Sequence, residues 1–106
     1  MSMNVTIVGL GLIGGSMAID LRKAGLAQSI TGVDQNEAHA SKAIALGLVD
    51  EVADLTTAIK DADLVVLAIP VNALGKLLPT VLDGVKSTAV VLDAGSTKGS
   101  ICKVVA

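Results

Sequence analysis

The chain has 106 residues, 52% of them hydrophobic, with one cysteine and no Phe, Tyr or Trp. That is enough for one domain with a modest aliphatic core, and it excludes an internal disulfide, a cysteine-cluster metal site and a stacking platform for single-stranded nucleic acid. A net charge of −2 and a pI near 5.1 argue against a polyanionic partner, and no apolar run reaches the roughly 18 residues of a membrane span.

The first predicted strand covers residues 4–8 and runs straight into Gly9-Leu10-Gly11-Leu12-Ile13-Gly14-Gly15. A predicted helix over 12–24 follows, with Ile13, Met17, Leu21 and Ala24 at spacings of three and four and Gly25 as its C′ stop. The second strand, 30–34, ends at Asp34. This is G-x-G-x-x-G in the setting it needs: after a strand, opening a helix, with an acid about 20 residues on. Gly9 allows the sharp turn, Gly11 lets a pyrophosphate approach the backbone, and Gly14 lets the helix sit close to the sheet. The free N–H groups of the helix's first turn then hold phosphates without a basic side chain. The competing reading is a Gly-rich turn that only connects strand to helix.

Asp34 refines the ligand. Its carboxylate can accept hydrogen bonds from both hydroxyls of an adenosine ribose, and it repels a 2′-phosphate. Gln35 and Asn36 follow, with no Lys or Arg until Lys42, so NAD is expected rather than NADP. The alternative role for Asp34 is a turn former or part of the next helix's cap.

The second helix is predicted over 36–46 with Asn36 as N-cap, and its His39, the only histidine, is expected to be a solvated helix residue. A weak strand near 49–53 precedes a helix over 55–60 capped by Asp54. Asp61 and Asp63 flank a helix-to-strand turn and are not expected to work as an acid–base pair. A strand over 63–69 leads to a helix over 71–83 whose stripe is Leu74, Leu77, Leu78, Val81 and Leu82; Pro79 inside it should split or kink it. The last strand is expected at 89–93 and a final helix at 98–105, carrying Cys102 as a small buried or interface residue. The strands are apolar on both faces, as in a parallel sheet covered by helices. The order predicts an α/β Rossmann-type doubly wound sheet, 3-2-1-4-5, in one domain over residues 1–106.

Val8 to Ser16, Thr31-Gly32-Val33-Asp34, Ala45 to Asp50, Leu67-Ala68-Ile69-Pro70-Val71 and Asp93-Ala94-Gly95-Ser96-Thr97-Lys98 together resemble prephenate dehydrogenases. The last of these segments is the most discriminating. The resemblance spans essentially the whole chain. It implies oxidative decarboxylation of prephenate to 4-hydroxyphenylpyruvate with hydride passed to NAD or NADP, in tyrosine biosynthesis; some relatives use arogenate. Carried over, Gly9, Leu10, Gly11, Leu12, Ile13 and Gly14 would hold the pyrophosphate and Asp34 the ribose. Ala68, Ile69 and Pro70 would line the cofactor, and Ser96 would lie beside nicotinamide and substrate, touching the catalytic histidine. From the residues alone, Ser96 is read as an N-cap and Lys98 as a surface lysine.

The family's histidine lies in a His-Pro segment downstream of Ala106, and a mostly helical domain completes its substrate pocket and its homodimer. The resemblance therefore implies that this chain is the cofactor-binding part of a longer enzyme and is inactive alone. No metal, nucleic-acid or membrane partner is expected, and with no positive n-region before the apolar start the default location is cytoplasmic. The alternatives are another NAD-dependent hydroxyacid-type dehydrogenase sharing the first 35 residues, or a non-catalytic dinucleotide-sensing module.

Overall fold

In the computed structural model, which describes residues 3–69, 71–93 and 102–105, strands and helices alternate along the chain. They are β1 (Met3–Val8), α1 (Leu12–Lys23), β2 (Ala27–Val33), α2 (Glu37–Ala45), β3 (Glu51–Val52), α3 (Leu55–Lys60), β4 (Leu64–Leu67), α4 (Val71–Gly84), β5 (Val90–Asp93) and β6 (Cys102–Val105). The sheet order is β3-β2-β1-β4-β5-β6. The first five are parallel in the predicted order; β6 joins the edge antiparallel to β5.

Period-2 geometry sends alternate strand residues to opposite faces, and both faces are buried. Val5 and Ile7 of β1 with Leu64 and Val66 of β4 join one core with Ala18 and Leu21 of α1 and Ala43 of α2. Val8, Val65 and Leu67 join the other, with Ile59 of α3 and Val81 of α4. Thr6 points the same way as Val8; its buried hydroxyl donates to the Ala58 carbonyl, fastening β1 to α3.

Helix ends follow local chemistry. Asn36 caps α2 by accepting from the N–H groups of Ala38 and His39, and Asp54 caps α3 by accepting from Thr57 N–H. Gly25 ends α1 with φ +71°, and the Leu26 N–H reaches back to the Leu21 carbonyl in the six-to-one bond of a Schellman motif.

One expectation fails, and another fails in part. The helix foreseen over 98–105 is not formed at 102–105, where the chain is β6. Val104 and Val105 are β-branched and lose rotamer freedom in a helix, and β5 offers an unpaired edge on which all four residues find partners. Pro79 does not split α4, which runs through it from Val71 to Gly84. Val81 is fully buried, and Leu77, Leu78 and Leu82 pack around the same core. Fully burying a side chain such as Val81 contributes about 1.5–3 kcal/mol and the partly buried leucines add to it, against the about 3 kcal/mol that an internal proline costs.

Candidate dinucleotide site

Register aligns the carboxyl ends of the central strands: Val8 of β1 pairs with Val33 of β2 on one side and Leu67 of β4 on the other. The next residue of each, Gly9, Asp34 and Ala68, therefore emerges at one edge of the sheet. Strand order reverses at β1, whose connection goes left to β2 while β4 lies on its right. Ligands of open α/β sheets bind in the crevice at this point.

The turn out of β1 is held tightly. Gly9 N–H donates to the Val33 carbonyl at 2.7 Å and Ala68 N–H to the Val8 carbonyl at 2.8 Å. Gly9 has φ +97°, and a Cβ there would overlap the Ala68 carbonyl oxygen and meet Ile69 Cγ2 at 3.0 Å. Ala68 and Ile69 are thus set directly against the glycine turn. At Gly14 a Cβ would run into the Gly9 carbonyl oxygen and approach Ile7 Cγ2 to 3.2 Å, so α1 could not come this close with any other residue. At Gly11 a Cβ would meet nothing within 4 Å. Packing does not demand a glycine there; open access to the backbone is what its lack of side chain provides. The start of α1 has no side-chain cap and no acid in its first turn, so its N–H groups and the positive end of its dipole suit an anion. Leu12 and Ile13 form that first turn.

Leu10 turns inward. Its side chain is buried in the core beside Gly32, where a Cβ would come within 2.6 Å of Leu10 Cδ1. Its N–H donates to Asp34 Oδ2 at 2.7 Å. Asp34 Oδ1 accepts from Asn36 N–H at 2.8 Å, and Oδ2 also meets His39 Nδ1 at 3.1 Å. Burial opposes the charge on this carboxylate, but the two backbone donors and the imidazole outweigh it and hold its pKa below the ordinary carboxylate value. Asp34 is therefore an ionised acceptor at neutral pH, fixed to the loop it faces.

His39 is solvent-exposed on α2, as expected, and it also contacts Asp34. Helical side chains lean back toward the N-terminus, so His39, at the third position of α2, reaches the acid five residues earlier. Asn36 at the cap and Asp34 two residues before it were the signal that could have shown this. His39 also lines a cavity of about 380 Å³ between α1 and α2, with Gly11, Ser16, Ile19, Lys42 and Leu46. Asp63 is structural: its Oδ1 accepts from Lys86 Nζ at 2.6 Å and its Oδ2 from Asn4 N–H at 2.9 Å. Pro70, Ser96 and Lys98 lie outside the described residues, and Cys102 sits in β6. Among the described residues no group of three His, Cys, Asp or Glu is placed to hold a metal ion, and no helix is long and apolar enough to cross a membrane.

A doubly wound parallel sheet with an open glycine turn at its switch point and an ionised acid closing the next strand defines a Rossmann-type nucleotide-binding domain. The family model "Prephenate dehydrogenase, nucleotide-binding domain" matches residues 17–106, and the chain belongs to that family. It is 35% identical over 98 residues to the prephenate dehydrogenase of Lactococcus lactis subsp. cremoris, covering 92% of this chain and 27% of that protein. It is also 35% identical over 101 residues to the cyclohexadienyl dehydrogenase of Zymomonas mobilis, covering 94% and 34%. The crystal structure of prephenate dehydrogenase from Aquifex aeolicus in complex with hydroxyphenyl propionate and NAD+ superimposes with a TM-score of 0.80 at 37% identity, covering 92% of this chain and 35% of that one. Synechocystis arogenate dehydrogenase gives 0.75 at 32% identity, covering 88% and 32%. The chain thus spans roughly a third of its relatives' length.

Proposed function

We propose that residues 1–106 bind NAD as the cofactor domain of a cytoplasmic enzyme that oxidatively decarboxylates prephenate or arogenate. The observation that carries this reading is the glycine turn braced on Asp34, with open space above Gly11. In this reading Gly9, Gly11 and Gly14 shape the loop, and the first turn of α1, through Leu12 and Ile13, donates N–H groups to the pyrophosphate. Leu10 anchors that loop to Asp34, which accepts from the adenosine ribose. Ala68 and Ile69, with Pro70 next in sequence, flank the nicotinamide half. When bound, NAD supplies the hydride acceptor. The chain's own work is to hold that acceptor at the sheet edge and keep one face of its ring turned to the substrate. Ser96, three residues past Asp93, is assigned to the substrate side, where its hydroxyl would orient the substrate and a histidine of the remaining part of the enzyme.

The relatives are about three times as long as this chain, so the general base, the far wall of the substrate pocket and a homodimer contact are assigned to a further, mostly helical domain. Fixed geometry between reactants supplies much of an enzyme's rate gain, and one wall alone cannot provide it. Calorimetric titration of the chain with NAD tests the first part: saturable one-to-one binding is expected, and its absence overturns the reading.

A further inference from the structure

We propose that His39 sets the discrimination between NAD and its 2′-phosphorylated form, NADP, through its contact with Asp34; this rests on the dinucleotide reading above. Asp34 is ionised and can only accept, so the His39 Nδ1 3.1 Å from its Oδ2 carries the hydrogen. That assignment decides what the other ring nitrogen offers. In the neutral imidazole Nε2 is a bare acceptor, beside a carboxylate with a full negative charge. A 2′-phosphate, itself carrying about −1.5 to −2 near pH 7, meets two unfavourable groups. In the imidazolium form Nε2 becomes a second donor and the His39–Asp34 pair has no net charge. The same site then accepts the phosphate it had rejected.

The position of the ring supports this role. The Asp34 side chain is 12% exposed and that of His39 is 48%, so the imidazole is the open member of the pair. It lines the α1–α2 cavity together with Lys42, one turn further along α2, and Ser16 across from it. Lys42 is a constant positive charge facing the same space, and Glu37 is the acid of the helix's first turn. The residues that α1 brings to the cavity wall, Gly11, Gly15, Ser16 and Ile19, carry no charge. Asp34 stands at the end of β2. His39 both contacts Asp34 and faces this cavity, which makes it a positioning and specificity residue rather than a catalytic one.

The test is calorimetry with NAD and NADP at pH 6 and pH 8 on the unmodified chain, His39→Gln and His39→Lys, each checked for folding by circular dichroism. In the unmodified chain the ratio Kd(NADP)/Kd(NAD) should fall by about tenfold from pH 8 to pH 6. His39→Gln should retain only the smaller change due to the phosphate's own protonation. His39→Lys, with a permanent cation, should show the low ratio already at pH 8. A His39→Gln ratio that falls as steeply as that of the unmodified chain overturns the proposal, as does a His39→Lys ratio at pH 8 no lower than the unmodified one. NAD binding with pH-indifferent discrimination overturns this inference alone. Failure of the unmodified chain to bind NAD overturns it together with the dinucleotide reading.

Discussion

Leu10 and Asp34, 24 residues apart, are joined by a 2.7 Å hydrogen bond from the backbone N–H of one to the carboxylate of the other. The bond ties the glycine loop to the end of the neighbouring strand, so the residue proposed to read the ribose also fixes the loop proposed to hold the phosphates. Loop and acid therefore act as one unit, and changes to either should be felt by both halves of a dinucleotide.

The first consequence is cofactor choice. At pH 8, NAD should bind at least about tenfold more tightly than NADP, or ~1.4 kcal/mol. Asp34→Asn should narrow that gap toward unity, because it removes the charge that opposes the 2′-phosphate. Titration calorimetry with both cofactors measures this. Equal affinities in the unmodified chain would remove Asp34 from the site.

The glycines of the loop should separate by role. Gly11→Val introduces a branched side chain into open space, so the protein should fold with little change in stability while NAD binding is lost. Gly14→Ala puts a methyl group into the Gly9 carbonyl oxygen and should destabilise the fold by about 1–3 kcal/mol or more, as overpacked sites do. Urea melts and NAD titrations on both variants check the pair. A Gly11→Val protein that binds NAD undiminished would contradict the assignment.

Acid stability follows from four carboxylates, of which Asp54 is lowered by its hydrogen bonds to Thr57 at the cap of α3. Asp50 is held below its ordinary value by the Ile30 N–H and, against the opposing effect of burial, by Arg22. Asp63 is lowered by Lys86 and the Asn4 N–H, and Asp34 by the donors described above. A lowered folded-state pKa means that the unfolded chain takes up protons first as pH falls. The stabilisation is therefore complete above the ordinary carboxylate value of 3.8 and is lost progressively below it. Asp50→Asn should be less stable than the unmodified chain at pH 7, and the two should converge as pH drops toward 2. Denaturant melts across that range give the test; a constant difference would show that Asp50 contributes through shape rather than charge.

Turnover should depend on Ser96 only in the full-length enzyme. There Ser96→Ala should lower kcat by on the order of 10-fold to 10³-fold with NAD affinity largely kept, as expected for one positioned polar contact made in the transition state. Residues 1–106 alone should give no prephenate-dependent NADH. Normal turnover of the Ser96→Ala enzyme would reduce this residue to a helix cap, and activity from the chain alone would overturn the two-domain reading.

Most of the architecture was legible because its causes are local. Gly25 and the caps Asn36 and Asp54 end or begin helices through bonds to residues within five positions. Doubly apolar strands separated by helix-length stretches leave few topologies other than a parallel doubly wound sheet, since parallel crossovers are right-handed. The glycine spacing is legible for the same reason: Gly9 and Gly14 answer to steric demands of one turn and the helix that follows it.

What the sequence did not reveal depends on partners distant in the chain or on a balance of energies. Whether Pro79 breaks α4 is decided by the core that Val81 and its neighbours enter, and the conformation of 102–105 by the free edge of β5. The need for a glycine at position 32 comes from Leu10, which packs where its Cβ would be. His39 is the surface histidine that its place in the helix suggests, but only the β2–α2 turn shows that its ring meets Asp34. Lys42, dismissed on distance along the chain, lines the same cavity one helical turn further on. The sequence by itself determined the class of fold and the class of ligand, because turns, caps and hydrophobic periods are short-range. Only the tertiary structure decided which groups surround the Asp34 carboxylate, because electrostatic partners are chosen by proximity in space.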